Sequence, residues 1–211
     1  NGKYDADDED GGGDDTSTTA SCYGLMGKGV KWKSLERWEV DPRNNEGLNQ
    51  TTVFDILSVG IRKWEDAVDG VIDGNETNIF GEGSVVVDGS VAADTASTDN
   101  RNEVLFGDLD AGIIGVTIVW GYFNGPLGQR QIVEWDQVYN TDFAWDTSIT
   151  GISDAMDFES IATHELGHAM GLADLYDTAC QDMTMYGYGN EGLIHARSLE
   201  DGDINGISSL Y

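Results

Sequence analysis

Apolar residues recur along this chain with two different periods. In TTVFDILSVGIRKWEDAV, residues 51–68, Phe54, Leu57, Ile61, Trp64 and Val68 are spaced 3, 4, 3 and 4 apart. That spacing places them on one stripe of an amphipathic helix, and the stripe reads as core packing. A threonine cap opens this helix and Gly70 closes it. Elsewhere the apolar and β-branched residues cluster as strands do. VKWKSLERWEV (30–40) reads as the first strand, ended by Pro42 and RNNEG. NEVLFGDLD (102–110) and GIIGVTIVWGYF (112–123) read as two more, with a turn at 107–112. QRQIVEWDQVYNT (129–141) is another, after a turn holding Pro126 and Gly128. Residues 71–101 are rich in Gly, Asp and Ser, with only short strand-like runs such as SVVVDG.

A second helical pattern falls in DFESIATHELGHAMGL, residues 157–172, with Asp157 as its cap. It carries two of the three histidines in the chain, His164 and His168. Histidines at i and i+4 stand one above the other on a helix, so both imidazoles can reach one ion. Imidazole suits zinc, and His-x-x-x-His is a helical zinc pair. Glu165 is rotated about 100° from His164 around the helix. It is therefore beside such an ion, where it can take a proton from water and pass it to a leaving amine. Gly171 permits a left-handed turn that ends the helix sharply. Asp174, three residues on, can then reach back to the same ion. Two other third ligands remain open: His195, the third histidine, and a distant glutamate, Glu191 or Glu200.

With Asp174 in place, HELGHAMGLAD resembles the extended HExxHxxGxxH/D signature of the metzincin zinc metallopeptidases. The aspartate form is similar to the signatures of snapalysin and the immune inhibitor A group. Downstream, DMTMYGYG resembles the Met-turn of the matrixins, with Met185 beneath the zinc and Met183 as the other candidate. RSLEDGDINGISSLY looks like the closing matrixin helix. The resemblance covers about 22–211, and only 162–188 carries specific motifs. It implies an α+β metzincin catalytic domain: a twisted, mostly parallel sheet with an antiparallel edge strand, two long helices and a C-terminal helix. It also implies a catalytic zinc held by His164, His168 and Asp174, with Glu165 as general base and a peptide or protein substrate laid along an edge strand near 113–119. Tyr186 or Tyr188 is a candidate hydrogen-bond donor to the oxyanion. The Asp third ligand, Ala173 and the insert at 71–103 depart from the matrixin pattern.

Composition changes the picture at three points. A net charge of −28 repels nucleic acid and anionic lipid, so neither is an expected partner. Asp88, Asp94, Asp99, Asp108 and Asp110 cluster in Gly-rich loops, and calcium is an additional expected ligand there. Residues 1–20 are acidic and nearly devoid of apolar side chains, so they read as a flexible leader before a domain at 21–211. No run approaches the ~18 apolar residues of a membrane span. Cys22 and Cys180 are the only cysteines: two free thiols, or one disulfide joining the start of the domain to the Met-turn region. The extracellular setting of the resembling peptidases favours the disulfide. The reading is a secreted, monomeric zinc endopeptidase. Its alternative is a non-catalytic extracellular domain that binds zinc or calcium.

Overall fold

The computed structural model describes residues 2–5, 21–69, 78–152 and 154–211. Gly70, the expected helix stop, lies outside them, as do residues 6–20 of the leader. The first amphipathic pattern forms helix α1, Gln50–Ala67. Its cap is Asn49 rather than a threonine: the Asn49 side chain accepts hydrogen bonds from the backbone N–H groups of Thr51 and Thr52. Leu57, Ile61 and Trp64 of the stripe are buried, while Phe54 and Val68 lie partly buried at its ends.

Among the described residues there are ten strands and three α-helices. The strands are β1 (Gly2–Asp5), β2 (Gly24–Leu25), β3 (Glu36–Val40), β4 (Phe80–Val85), β5 (Asn102–Gly107), β6 (Gly115–Tyr122), β7 (Gln131–Asn140), β8 (Trp145–Asp146), β9 (Met156–Asp157) and β10 (Leu172–Ala173). Helices α2 (Phe158–Ala169) and α3 (Asp201–Leu210) follow α1. The main sheet has the order β1-β6-β7-β5-β3-β4. Its β4, β3, β5 and β7 are mutually parallel, and β6 runs antiparallel to β7. This is the mixed α+β arrangement expected, with one difference. β6 is not the outermost strand, because Gly2–Asp5 of the leader pairs along part of its outer side. The expected strand at 30–40 is also shorter, forming only at Glu36–Val40. Before it, Trp32 turns inward and donates its indole N–H to the Ala169 carbonyl at the end of α2.

Both long helices pack on one face of the sheet. Trp32, Trp38, Trp64, Phe80, Trp135, Tyr139 and Phe158 fill the layer between them. Gly60 of α1 is what lets α2 approach: a Cβ there would lie 2.7 Å from Leu166 Cδ1. Trp64 then spans the interface and donates to the Thr163 carbonyl at 2.8 Å. Side chains of β7 alternate faces, so Glu134 and Asp136 point away from Trp135 and its aromatic layer. On that opposite face the loop between β4 and β5 folds down over them. Its Asp94 and Asn100 N–H groups donate to Asp136 and Glu134.

Candidate active site

Helix α2 starts where expected. Asp157 accepts the Ser160 N–H at 2.7 Å, and Arg197 pairs with the same carboxylate. The helix ends at Gly171, whose φ of 107° lies in the left-handed region. A side chain there would be strained by that φ, and its Cβ would come within 2.9 Å of the Val30 carbonyl oxygen. The reversed chain is then held on two sides. Leu172 and Ala173 pair with Leu25 and Gly24 as β10–β2. Leu175 bridges to Tyr186, with Leu175 N–H donating to Met185 O and Gly187 N–H to Leu175 O, each at 2.9 Å. Asp174 sits between these two anchors.

The result brings His164, His168 and Asp174 together, their ligand atoms all within 4.8 Å of one another. The two Nε2 atoms are 3.1 Å apart, and Asp174 Oδ1 lies 3.2 and 3.5 Å from them. Three ligands at about 2.0–2.1 Å from a tetrahedral zinc are separated by roughly 3.3–3.4 Å, so this triangle has the size of a zinc site. The outer ring nitrogens are already engaged: His164 Nδ1 with the Thr184 carbonyl at 2.7 Å, His168 Nδ1 with that of Leu172 at 2.9 Å. A proton on each Nδ1 leaves the Nε2 lone pairs facing inward. Asp174 Oδ1 is buried with no hydrogen bond.

Electrostatics say the same. Burial opposes charge on His164, yet the adjacent Asp174 carboxylate outweighs it and lifts the imidazole to about 9. His168 is raised too, against its burial, chiefly by Asp174. Burial would raise Asp174, but the two imidazoles hold it well below the usual carboxylate range. The three groups together demand positive charge at their centre, which protons or a cation can meet.

Glu165 is 5% exposed and faces β6. Its Oε2 accepts the Thr117 hydroxyl at 2.6 Å, and a Cβ on Gly115 would lie 3.0 Å from its Oε1. Met185 is fully buried against Gly167, between the two histidines on α2, whereas Met183 packs on Cys22 and Cys180. These two cysteines form a disulfide. Buried Asp203 of α3 fixes the turn around Met185 by accepting the N–H groups of Thr184 and Met185. A cleft of about 320 Å³ opens above the triad, lined among others by Ile114, Ile161, Tyr186, Tyr188 and His195.

This arrangement is matched by the family comparison: residues 34–211 match the family described as Matrixin. The chain belongs to the matrixin family. As a matrixin it is a metzincin-type zinc metallopeptidase domain, and the family's activity is hydrolysis of peptide substrates. No curated protein sequence matches the chain. Within this matrixin, His195 lies on the wall of the same cleft but is not among the three converging ligands. Glu200 serves instead as the cap of α3, in a reciprocal box with Asp203. Tyr176 donates to Asp174 Oδ2 at 3.3 Å and packs against exposed Tyr188, which in turn contacts Tyr186. Thr117, Thr184, Tyr176 and Asp203 join the site without belonging to any of its sequence motifs. Thr117 carries a legible signal, a polar residue inside an apolar strand; the others carry none.

The acidic loops converge less than expected. Asp94 and Asp99 meet Glu134, not Asp88, Asp108 or Asp110. Asp88 accepts the Ser90 N–H and Asp108 the Thr141 hydroxyl. Beneath the same loop, burial lifts Glu103 and Glu134 to about 7 and Asp136 to about 8. Glu134 Oε1 and Asp94 Oδ2 are buried without hydrogen-bond partners. Among the described residues no helix is long and apolar enough to cross a membrane.

Proposed function

We propose that this chain is a secreted zinc-dependent endopeptidase whose zinc is held by His164, His168 and Asp174. The observation that carries it is the convergence of these three ligand atoms, with both Nδ1 positions engaged and a carboxylate beside them. Bound zinc would supply Lewis-acid chemistry to the scissile carbonyl and the attacking water. Glu165 is the general base: it accepts the proton of that water and delivers it to the leaving amine. Thr117 holds one carboxylate oxygen of Glu165, which leaves the other, beside Gly115, for proton transfer. The substrate backbone adds to the β6 edge at Gly115–Thr117, and one of its side chains enters the cleft under Tyr188. Met185 supports the histidines from below without touching substrate. All these groups come from one chain, which favours a monomer. The disulfide favours an oxidising, extracellular compartment.

The deciding experiment is Glu165→Gln. The variant should retain stoichiometric zinc and lose nearly all hydrolysis of a peptide library. Substantial turnover would remove Glu165 from the mechanism. A wild-type protein that binds zinc yet cleaves nothing would favour the non-catalytic alternative.

A second cation is favoured by a separate observation. Asp94, Asp99 and Glu134 offer carboxylate oxygens within 4.8 Å, with two buried oxygens unpartnered. Such an all-oxygen set suits calcium. Its role would be structural, pinning the loop between β4 and β5 to the sheet.

A further inference from the structure

The outer edge of β6 is shared between two stretches. Gly115–Thr117 lies beside Glu165. Farther along, β1 pairs antiparallel with it: Asp5 opposite Ile118, Tyr4 opposite Val119, Lys3 opposite Trp120 and Gly2 opposite Gly121. A strand edge presents one row of N–H and C=O groups, and a second chain cannot pair where a first already does. We infer that β1 acts as a built-in competitor for half of the substrate-binding edge and so sets which substrates this peptidase prefers. The inference rests on the peptidase reading and on β6 as the substrate strand.

Direction decides which half of the substrate is affected. A peptide that adds antiparallel to β6, as β1 does, runs from the Gly121 end toward Gly115. Its residues N-terminal to the scissile bond then fall where β1 lies. With β1 in place, roughly three substrate residues on that side find edge to pair with, one for each of Gly115–Thr117. Longer N-terminal arms must displace β1 or stay unpaired. Recognition therefore shifts toward the cleft lined by Ile114, Ile161 and Tyr188.

The test uses the full chain and a Lys3→Pro/Tyr4→Pro double variant. Proline has no N–H to donate and is poorly tolerated in a paired strand. Two quenched fluorogenic peptides share the residues around the cleaved bond; one carries a short N-terminal arm and the other a long one. The double variant should lower KM for the long-arm peptide about tenfold, the scale of one or two regained hydrogen bonds, and leave the short-arm peptide unchanged. No change for either peptide, or an equal change for both, would overturn the inference. Binding of the long-arm peptide, followed by fluorescence anisotropy in a Glu165→Gln background, reads the competition without hydrolysis. Tighter binding on proline substitution there supports the inference even if the wild type cleaves nothing, an outcome that would overturn only the peptidase reading. Hydrogen exchange closes the case: unchanged protection of the amides at 118–121 in the double variant would mean that β1 does not hold the edge.

Discussion

Thr117 Oγ1 reaches Glu165 Oε2 across 2.6 Å, joining β6 to the helix that carries both histidines. One hydroxyl thus links the strand proposed to take substrate to the carboxylate proposed as general base. Thr117→Val keeps the shape and removes the bond. It should lower kcat by about 10- to 100-fold with zinc content unchanged, since the cost is misplacement of a carboxylate. Steady-state kinetics beside metal analysis checks this. A kcat equal to wild type would mean that Glu165 is oriented by its packing alone.

Asp174 and His195 make a discriminating pair. Asp174→Ala removes one corner of the triangle and should reduce zinc affinity at least ~10-fold. His195→Ala alters only the cleft wall and should keep one zinc per chain. Competition with a chromogenic chelator measures both. Loss of zinc from His195→Ala, but not from Asp174→Ala, would reverse the assignment.

The acids under the loop between β4 and β5 predict a pH signature. Glu103, Glu134 and Asp136 are raised to about 7, 7 and 8 by burial. The folded protein keeps protons that the unfolded chain releases near pH ~4. Their contribution to stability is therefore complete below the unfolded pKa and is lost as pH rises through about 7 to 8. Without calcium, Tm should fall as pH rises from about 4 toward about 7 to 8 and level off above, with zinc held constant. Added calcium should restore it, because a cation replaces the protons. A Tm indifferent to calcium at the upper end of the window would argue that these acids hold no ion.

The disulfide ties Cys22 to the short segment that precedes Met185. Replacing both cysteines with alanine should cost about 2–4 kcal/mol in denaturant unfolding. Zinc should also bind more weakly, because Asp174 is anchored through Leu175 to that same turn. Native protein should show no titratable thiol; two reactive thiols before reduction would contradict the bond.

Local features are legible in the residue order alone. The 3-4-3-4 stripe specifies α1, and the i, i+4 histidines with Glu165 between them mark α2 as the candidate metal-binding helix. Gly171 wrote the helix stop, because only a residue without Cβ takes φ near 107° and lies so close to Val30 without strain. These features depend on neighbours within a turn or two, so they can be read from spacing. Contacts between distant segments become visible only in the folded chain. Asp174 is aimed by Leu25 on one side and Met185 on the other; Thr117 meets Glu165 from 48 residues away; Met185 rather than Met183 fills the space under Gly167. The five loop aspartates are equivalent in sequence context. Folding brought two of them to Glu134, a strand residue whose period-2 position turned it out of the aromatic core. The acidic composition of residues 1–20 predicts no strand, yet Gly2–Asp5 lies along β6, since an unpaired sheet edge offers backbone hydrogen bonds that do not depend on side chains.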